Sequence, residues 1–78
     1  MCKIMTLYVG SHCHLCDQAK DIVRRVIENT NWICSEVNIE NNKLLLEKYG
    51  LRIPVLVSEN GEEKGWPFTL SQVRRLIR

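Results

Sequence analysis

In residues 3–9 the apolar positions follow one another almost without a break (Lys3-Ile4-Met5-Thr6-Leu7-Tyr8-Val9). This is the pattern of a central strand covered on both faces. Residues 13–28 change period. Cys16, Ala19, Val23, Val26 and Ile27 recur at the spacing of one helical face, while Asp17, Asp21, Arg24, Arg25 and Glu28 fall largely on the other. Asp21 and Arg25 are spaced for an i,i+4 ion pair, worth about 0.3 kcal/mol. Asn29-Thr30-Asn31 breaks the pattern. A second strand is predicted over 32–39, with weaker alternation: Ile33, Val37 and Ile39 share a parity, and Ser35 lies among them. A short helix follows over 42–49, with Leu44-Leu45-Leu46 as its apolar side and Gly50 as its stop. Residues 54–58 read as a third strand. Asn60-Gly61 predicts a type I′ hairpin that returns the chain through 62–65. The last helix opens on a capping box, Thr69 with Gln72, with Phe68 and Val73 at the two staple positions. Leu70, Val73, Leu76 and Ile77 supply its buried side.

The order is β-α-β-α-β-β-α. The first βαβ unit must be parallel and right-handed, and the hairpin antiparallel. The simplest closed solution is an α/β fold with one mixed four-stranded sheet and helices on both faces. Residues 1–78 form one domain on this reading, small enough to bury only about 60–65% of its unfolded surface.

Composition narrows the function classes. Apolar residues make up 45% and charged residues 26%, ordinary values for a globular chain. No apolar run approaches the ~20 residues of a membrane span. Met1-Cys2-Lys3-Ile4 does not open a leader, so neither a signal peptide nor an anchor is expected. The net charge of +2 arises from eleven basic residues interleaved with nine acidic ones. The densest basic group, Arg74-Arg75 with Arg78, suits the C-terminal end of the last helix. No basic patch interleaved with stacking aromatics is present, so nucleic acid is not an expected partner. Nothing in the chain calls for a cofactor, a membrane or a second copy, and a monomer is expected.

The chemistry lies in Cys13-His14-Leu15-Cys16, which follows the first strand and the turn Gly10-Ser11-His12 and heads the first helix. A C-x-x-C on the first turn of a helix is a thiol–disulfide exchange site. The helix dipole and the free N–H groups of the first turn favour a thiolate on Cys13. Cys16 shares the buried face with Ala19 and Val23, so desolvation keeps it protonated until a mixed disulfide forms on Cys13. His12 and His14 are open to three readings: surface imidazoles, tuners of the thiolate, or metal ligands. Cys2 and Cys34 lie in apolar runs and read as buried spectators with no disulfide between them. One reactive pair with two buried thiols fits a reducing, cytoplasmic setting.

That element order, with C-x-x-C after the first strand and a proline opening the third, resembles the thioredoxin fold in its short glutaredoxin-like form. The resemblance covers nearly the whole chain. It rests on Leu7-Tyr8 leading to Cys13-His14-Leu15-Cys16, on Tyr49-Gly50-Leu51-Arg52-Ile53-Pro54-Val55, and on Gly65-Trp66-Pro67-Phe68. It looks most like a group of uncharacterised bacterial glutaredoxin-like proteins. It implies a cis Pro54 that turns Ile53 so that its backbone N–H and C=O face the cysteines, where a substrate strand pairs by β-addition. It implies a disulfide oxidoreductase with Cys13 attacking and Cys16 resolving, and with His12, His14, Leu15, Ile53, Pro54 and Trp66 meeting the substrate. Trp66 and Phe68 read either as core residues or as an apolar wall beside the site.

Departures from the well-studied relatives bear on the partner. His14-Leu15 replaces the usual Pro-aromatic pair between the cysteines. Ile53 directly precedes Pro54, more as in thioredoxins, and His12 stands where thioredoxins usually have Trp. Gly65-Trp66-Pro67-Phe68 replaces the glycine pair and acidic residue that hold glutathione's carboxylate. The expected partners are therefore a protein disulfide and a thiol reductant, with glutathione a disfavoured candidate. The rival reading is a metal or iron–sulfur protein using Cys13 and Cys16 with His12 or His14. Against it, zinc needs four ligands in tetrahedral array, and no second C-x-x-C or distant histidine is present.

Overall fold

The structure is a computed structural model that describes residues 3–77. Its elements follow the expected order: β1 (Lys3–Val9), α1 (His14–Ile27), β2 (Trp32–Asn38), α2 (Lys43–Tyr49), β3 (Val55–Val57), β4 (Glu63–Gly65) and α3 (Leu70–Leu76). The strands form one four-stranded sheet in the order β2-β1-β3-β4. β1 runs parallel to β2 and antiparallel to β3, and β3 pairs antiparallel with β4. This is the mixed sheet of a thioredoxin-like α/β fold. Cys2 and Arg78, which figured in the sequence reading, lie outside the described residues.

The two sides of the sheet are unequal. On one side Met5, Leu7 and Val9 of β1 pack with Cys16, Ala19, Val23 and Val26 of α1, Leu56 of β3, and Phe68 and Val73 at the head of α3. On the other side α2 covers a smaller cluster of Ile39, Tyr49 and Val55, against which Tyr8, Leu45 and Ile53 pack. Helix α2 is seven residues long, so it cannot shield the whole face. Ile4 and Ile33 at the far end of β1 and β2 are each 50% exposed. The expectation that β1 is covered on both faces holds along most of the strand and fails at its exposed start, Lys3 and Ile4.

Three further local expectations change. Leu44, Leu45 and Leu46 do not share a buried side: Leu45 packs inward with Tyr49, whereas Leu44 and Leu46 are exposed. Successive helical residues point about 100° apart, and the inward stripe follows i,i+4 spacing. Gly50 is no left-handed stop; its backbone stays right-handed (φ −51°, ψ −38°). Glycine is needed there because a Cβ would collide with the Leu46 carbonyl oxygen. The hairpin is not type I′ either, because Gly61 (φ 92°) has positive φ and Asn60 does not. The Ser58 carbonyl accepts from Gly61 N–H (2.9 Å), and Ser58 N–H donates to the Glu62 carbonyl (2.8 Å). That is a three-residue loop with glycine in the bulge position.

Other local signals match. The Asp21–Arg25 pair forms at 3.2 Å. Asn42 caps α2 through its Oδ1, which accepts from Leu45 N–H. At α3, Thr69 Oγ1 accepts from Gln72 N–H (3.2 Å), and Gln72 Oε1 accepts from Thr69 N–H (3.0 Å). Phe68 and Val73, the staple pair, are both buried in the main core. The box anchors α3 against α1, so removing it should be felt globally. Thr69→Ala is expected to lower unfolding free energy by about 1 kcal/mol, read from the urea midpoint at unchanged slope.

Candidate functional site: the Cys13–Cys16 turn

The turn between β1 and α1 sets the site. His12 has φ 52°, the left-handed region, and reverses the chain so that α1 starts at the next residue. Histidine is among the non-glycine residues that tolerate this region. Cys13 is the N-cap of α1, with extended backbone (φ −106°, ψ 99°), and its Sγ accepts from Cys16 N–H at 3.1 Å. The two cysteines are joined as a disulfide with Cα atoms 5.1 Å apart. Their surroundings differ: Cys13 is partly exposed, whereas Cys16 is buried at 1% among the core residues of α1 and β1. His14 and Leu15, between them, face solvent.

A second segment lies across the small core. The Ile53–Pro54 peptide is cis, as the resemblance implied. Pro54 is buried, and its carbonyl accepts from Trp66 N–H at 3.1 Å, so β4 straps the proline loop. Ile53 packs against both core clusters, and its Cδ1 reaches the Cα side of Gly10 in the turn before the cysteines. Its N–H is not free, because it donates to the Tyr49 carbonyl at 3.1 Å. This corrects the expectation that Ile53 offers both backbone groups to a substrate: its carbonyl is the group left. Trp66 sets its ring edge-on to Phe68, centroids 5.0 Å apart, and is only half-buried. It is therefore both a core neighbour and an exposed apolar surface. The Trp66–Pro67 peptide is also cis, which the sequence reading did not anticipate.

The open side of the cysteines is a groove of about 610 Å³ between the turn, α1 and the end of β2. His12, Cys13 and His14 line it, together with Asp17, Lys20 and Glu36. Leu15, Ile53, Pro54 and Trp66 lie outside its lining, so of the residues expected to meet a substrate only His12 and His14 share the groove with Cys13. Asn38 Nδ2 donates to Ser11 Oγ (3.1 Å), and Ser11 N–H donates to Glu40 Oε2, which ties the turn to the end of β2. Among the described residues, no three His, Cys, Asp or Glu side chains converge as a metal site.

Comparison with known proteins agrees with this geometry. Residues 4–78 match the family described as Glutaredoxin-like domain (DUF836). This chain belongs to that glutaredoxin-like family. Protein XcR50 from X. campestris, solved by X-ray diffraction, is 36% identical, with 94% of this chain and 93% of that chain covered and a TM-score of 0.80. Protein Ne2328 from Nitrosomonas europaea is 23% identical over 87% of this chain and 82% of that one, with a TM-score of 0.75. A mutant thioredoxin from Halobacterium salinarum NRC-1 is 21% identical over 96% and 71%, with a TM-score of 0.73. The last two support the fold alone. No curated protein matches the chain. A glutaredoxin-like fold that holds Cys13 and Cys16 at disulfide distance fits a role in thiol redox chemistry.

Two groups that sequence reasoning did not bring together also bear on this glutaredoxin-like site. Glu63 on β4 accepts from Tyr49 Oη (3.0 Å) and from Arg52 Nη2 (2.9 Å), and Lys48 Nζ lies 3.7 Å away. Tyr49 stacks on Tyr8 with centroids 4.6 Å apart. The turn that leads into Ile53–Pro54 is thus held at the Tyr49 side chain as well as its carbonyl. Pairings across 11 or 14 residues leave no local pattern to read. The Arg52 hydrogen bond, then that from Tyr49, holds the Glu63 carboxyl below its usual value of 4.5. A depressed carboxylate contributes stability above the ordinary range, and this is lost as pH falls through the folded-state value. Glu63→Gln is expected to be less stable than the parent near pH ~7, by under about 1 kcal/mol. Urea unfolding at successive pH values should show that gap closing in acid.

Cys34, the second group, lies opposite Met5 in the β1–β2 register and is a free thiol, partly buried against the main core. Burial, and secondly the Glu36 charge, pushes its pKa up to about 11. It is therefore a poor nucleophile at neutral pH. With the Cys13–Cys16 pair reduced, iodoacetamide near pH ~7.5 should label Cys34 at least about tenfold more slowly than Cys13. Peptide mass spectrometry reads this directly, and equal rates would refute the assignment of Cys34 as inert.

Proposed function

We propose that this protein is a thiol–disulfide oxidoreductase acting on protein disulfides, with Cys13 as nucleophile and Cys16 as resolving thiol. The observation that carries this reading is the asymmetry of the pair: a partly exposed sulfur at the helix N-cap, and a buried sulfur one turn on. In the dithiol form the Cys16 N–H and the helix dipole favour a thiolate on Cys13. That thiolate attacks one sulfur of the substrate disulfide, and the other sulfur leaves as a thiolate. Cys16 then gives up its proton and attacks Cys13 Sγ of the mixed disulfide. The substrate departs as a dithiol carrying the two electrons, and the protein, having given them up, is left as the oxidised Cys13–Cys16 disulfide. A thiol reductant must return the pair to the dithiol form.

Substrate docking is assigned to two groups of residues. Ile53 at its carbonyl, Pro54 and Trp66 form one side; His12, His14 and Leu15 form the other. The replacement of the glycine pair and acid by Gly65-Trp66-Pro67-Phe68 supports a protein partner over glutathione. We further assign one domain over residues 1–78, a monomer, and a cytoplasmic setting, where thioredoxin and glutathione systems supply reducing equivalents. Among the described residues, no helix is long and apolar enough to cross a membrane.

Two variants test the roles. Cys13→Ser should abolish reduction of a protein disulfide such as that of insulin. Cys16→Ser should accumulate mixed disulfides, visible as dithiothreitol-sensitive adducts on a non-reducing gel. Activity retained by Cys13→Ser, or a clean Cys16→Ser lane, would refute the assignment. A redox titration of the pair should give a reversible two-electron couple, in the range of about −230 to −270 mV if the protein is a reductant.

A further inference from the structure

We infer that Asp17 makes Cys13 selective for disulfides flanked by lysine or arginine, and poor with those flanked by acidic residues. This rests on the exchange function proposed above and deepens it by naming a substrate class.

The groove beside Cys13 has a local charge opposite to that of the molecule. The whole chain carries +2. Around the groove two carboxylates share one ammonium, and a third carboxylate, that of Glu40, stands at the turn. Lys20 Nζ lies 3.2 Å from Glu36 and 3.9 Å from Asp17, and Glu40 binds the turn at Ser11 N–H. Lys20 is therefore already neutralised from within. Drawing it toward an incoming anion would leave Glu36 and Asp17 uncompensated, so the groove stays negative whichever way that lysine moves.

Asp17 is the carboxylate with capacity to spare. Its side chain is 74% exposed, and its one ion-pair contact is the longer of the two that Lys20 makes. The Asn38 amide, by contrast, is engaged at both ends, donating to Ser11 and accepting from Glu40 N–H. Asp17 also stands one helical turn beyond the nucleophile, with its N–H donating to the Cys13 carbonyl at 3.2 Å. Side chains four apart on a helix are neighbours. Asp17 and Cys13 both line the groove, so a substrate held there against Cys13 carries its flanking residues past Asp17. A cationic flank gains an attraction there, and an acidic flank meets repulsion.

The test uses full-length, pre-reduced protein and three synthetic peptides. Each has one cysteine as a mixed disulfide with thionitrobenzoate, and the residues on both sides of that cysteine are Lys, Ala or Glu. Release of the yellow thionitrobenzoate thiolate in a stopped-flow instrument gives a second-order rate constant for each. The Lys peptide should exceed the Glu peptide by about tenfold at low ionic strength, the size expected of one or two near-surface charge contacts. The ratio should shrink to about twofold in ~0.5 M salt. Asp17→Asn should cut the low-salt ratio by about threefold, and Asp17→Lys should invert it. A ratio within one protein cancels any change in the nucleophilicity of Cys13, which a change of charge four residues away would itself cause.

Equal rates for the three peptides, or a ratio that neither substitution moves, overturns the inference while leaving disulfide exchange intact. Failure of the parent protein to release thionitrobenzoate from the Ala peptide overturns the exchange function, and the inference with it.

Discussion

Helix α1 lies against the buried face of β1 through Cys16, Ala19, Val23 and Val26, and the rest of the site depends on that contact. It drives Cys16 into the core and leaves Cys13, the residue before the helix proper, partly exposed. The same contact aims the Cys16 N–H at the sulfur of Cys13, because a helix packed by its inner stripe has no freedom to rotate its cap. Two chemically identical residues therefore acquire different environments from their phase on one helix. One sulfur is held in the core, and the other takes a backbone N–H at the surface.

The opposite face of the sheet shows what a chain of this size does with a second, smaller core. Among the described residues its buried cluster is Ile39, Tyr49 and Val55, and Tyr49 makes the connections that hold it together. Its ring stacks on Tyr8, its hydroxyl reaches Glu63, and its carbonyl takes the N–H groups of Arg52 and Ile53. The loop that carries Pro54 is thus held by one buried aromatic residue together with the Trp66 N–H. The cost to binding is that Ile53 spends its amide internally. The loop is left with the carbonyl of Ile53, which gives less capacity for β-addition than two free backbone groups would offer.

Electrostatics adds a distinction that burial does not make. The surface as a whole is weakly basic, yet the carboxylates of Asp17, Glu36 and Glu40 gather beside the turn. Asp17 sits where an acidic residue suits the first turn of a helix. That placement also puts a negative charge one turn beyond Cys13, so the helix terminus and the side chain contribute fields of opposite sign there. The field that a substrate meets differs from the one that the bare helix would present.

Much of the architecture was legible because its causes are local. The inner stripe of α1, the Thr69–Gln72 box, the Asp21–Arg25 pair and the placement of Cys13 at a helix start all involve residues within four positions, or one element's period, of each other. Element order then restricted the sheet to very few topologies. What failed were statements that needed to know how far a neighbouring element reaches. The leucines of α2 looked like a face until a seven-residue helix met a small core. Asn60-Gly61 looked like a tight turn until the register of β3 and β4 required one more residue. The hub at Glu63 and the tie between the acidic groove and the turn depend on residues brought together from 11 to 29 positions apart. By itself the sequence determined that two cysteines stand on a helix start in a thioredoxin-like order. Only the tertiary structure decided which backbone groups remain free around them and what charge surrounds the exposed sulfur, because both depend on long-range packing that leaves no periodic trace along the chain.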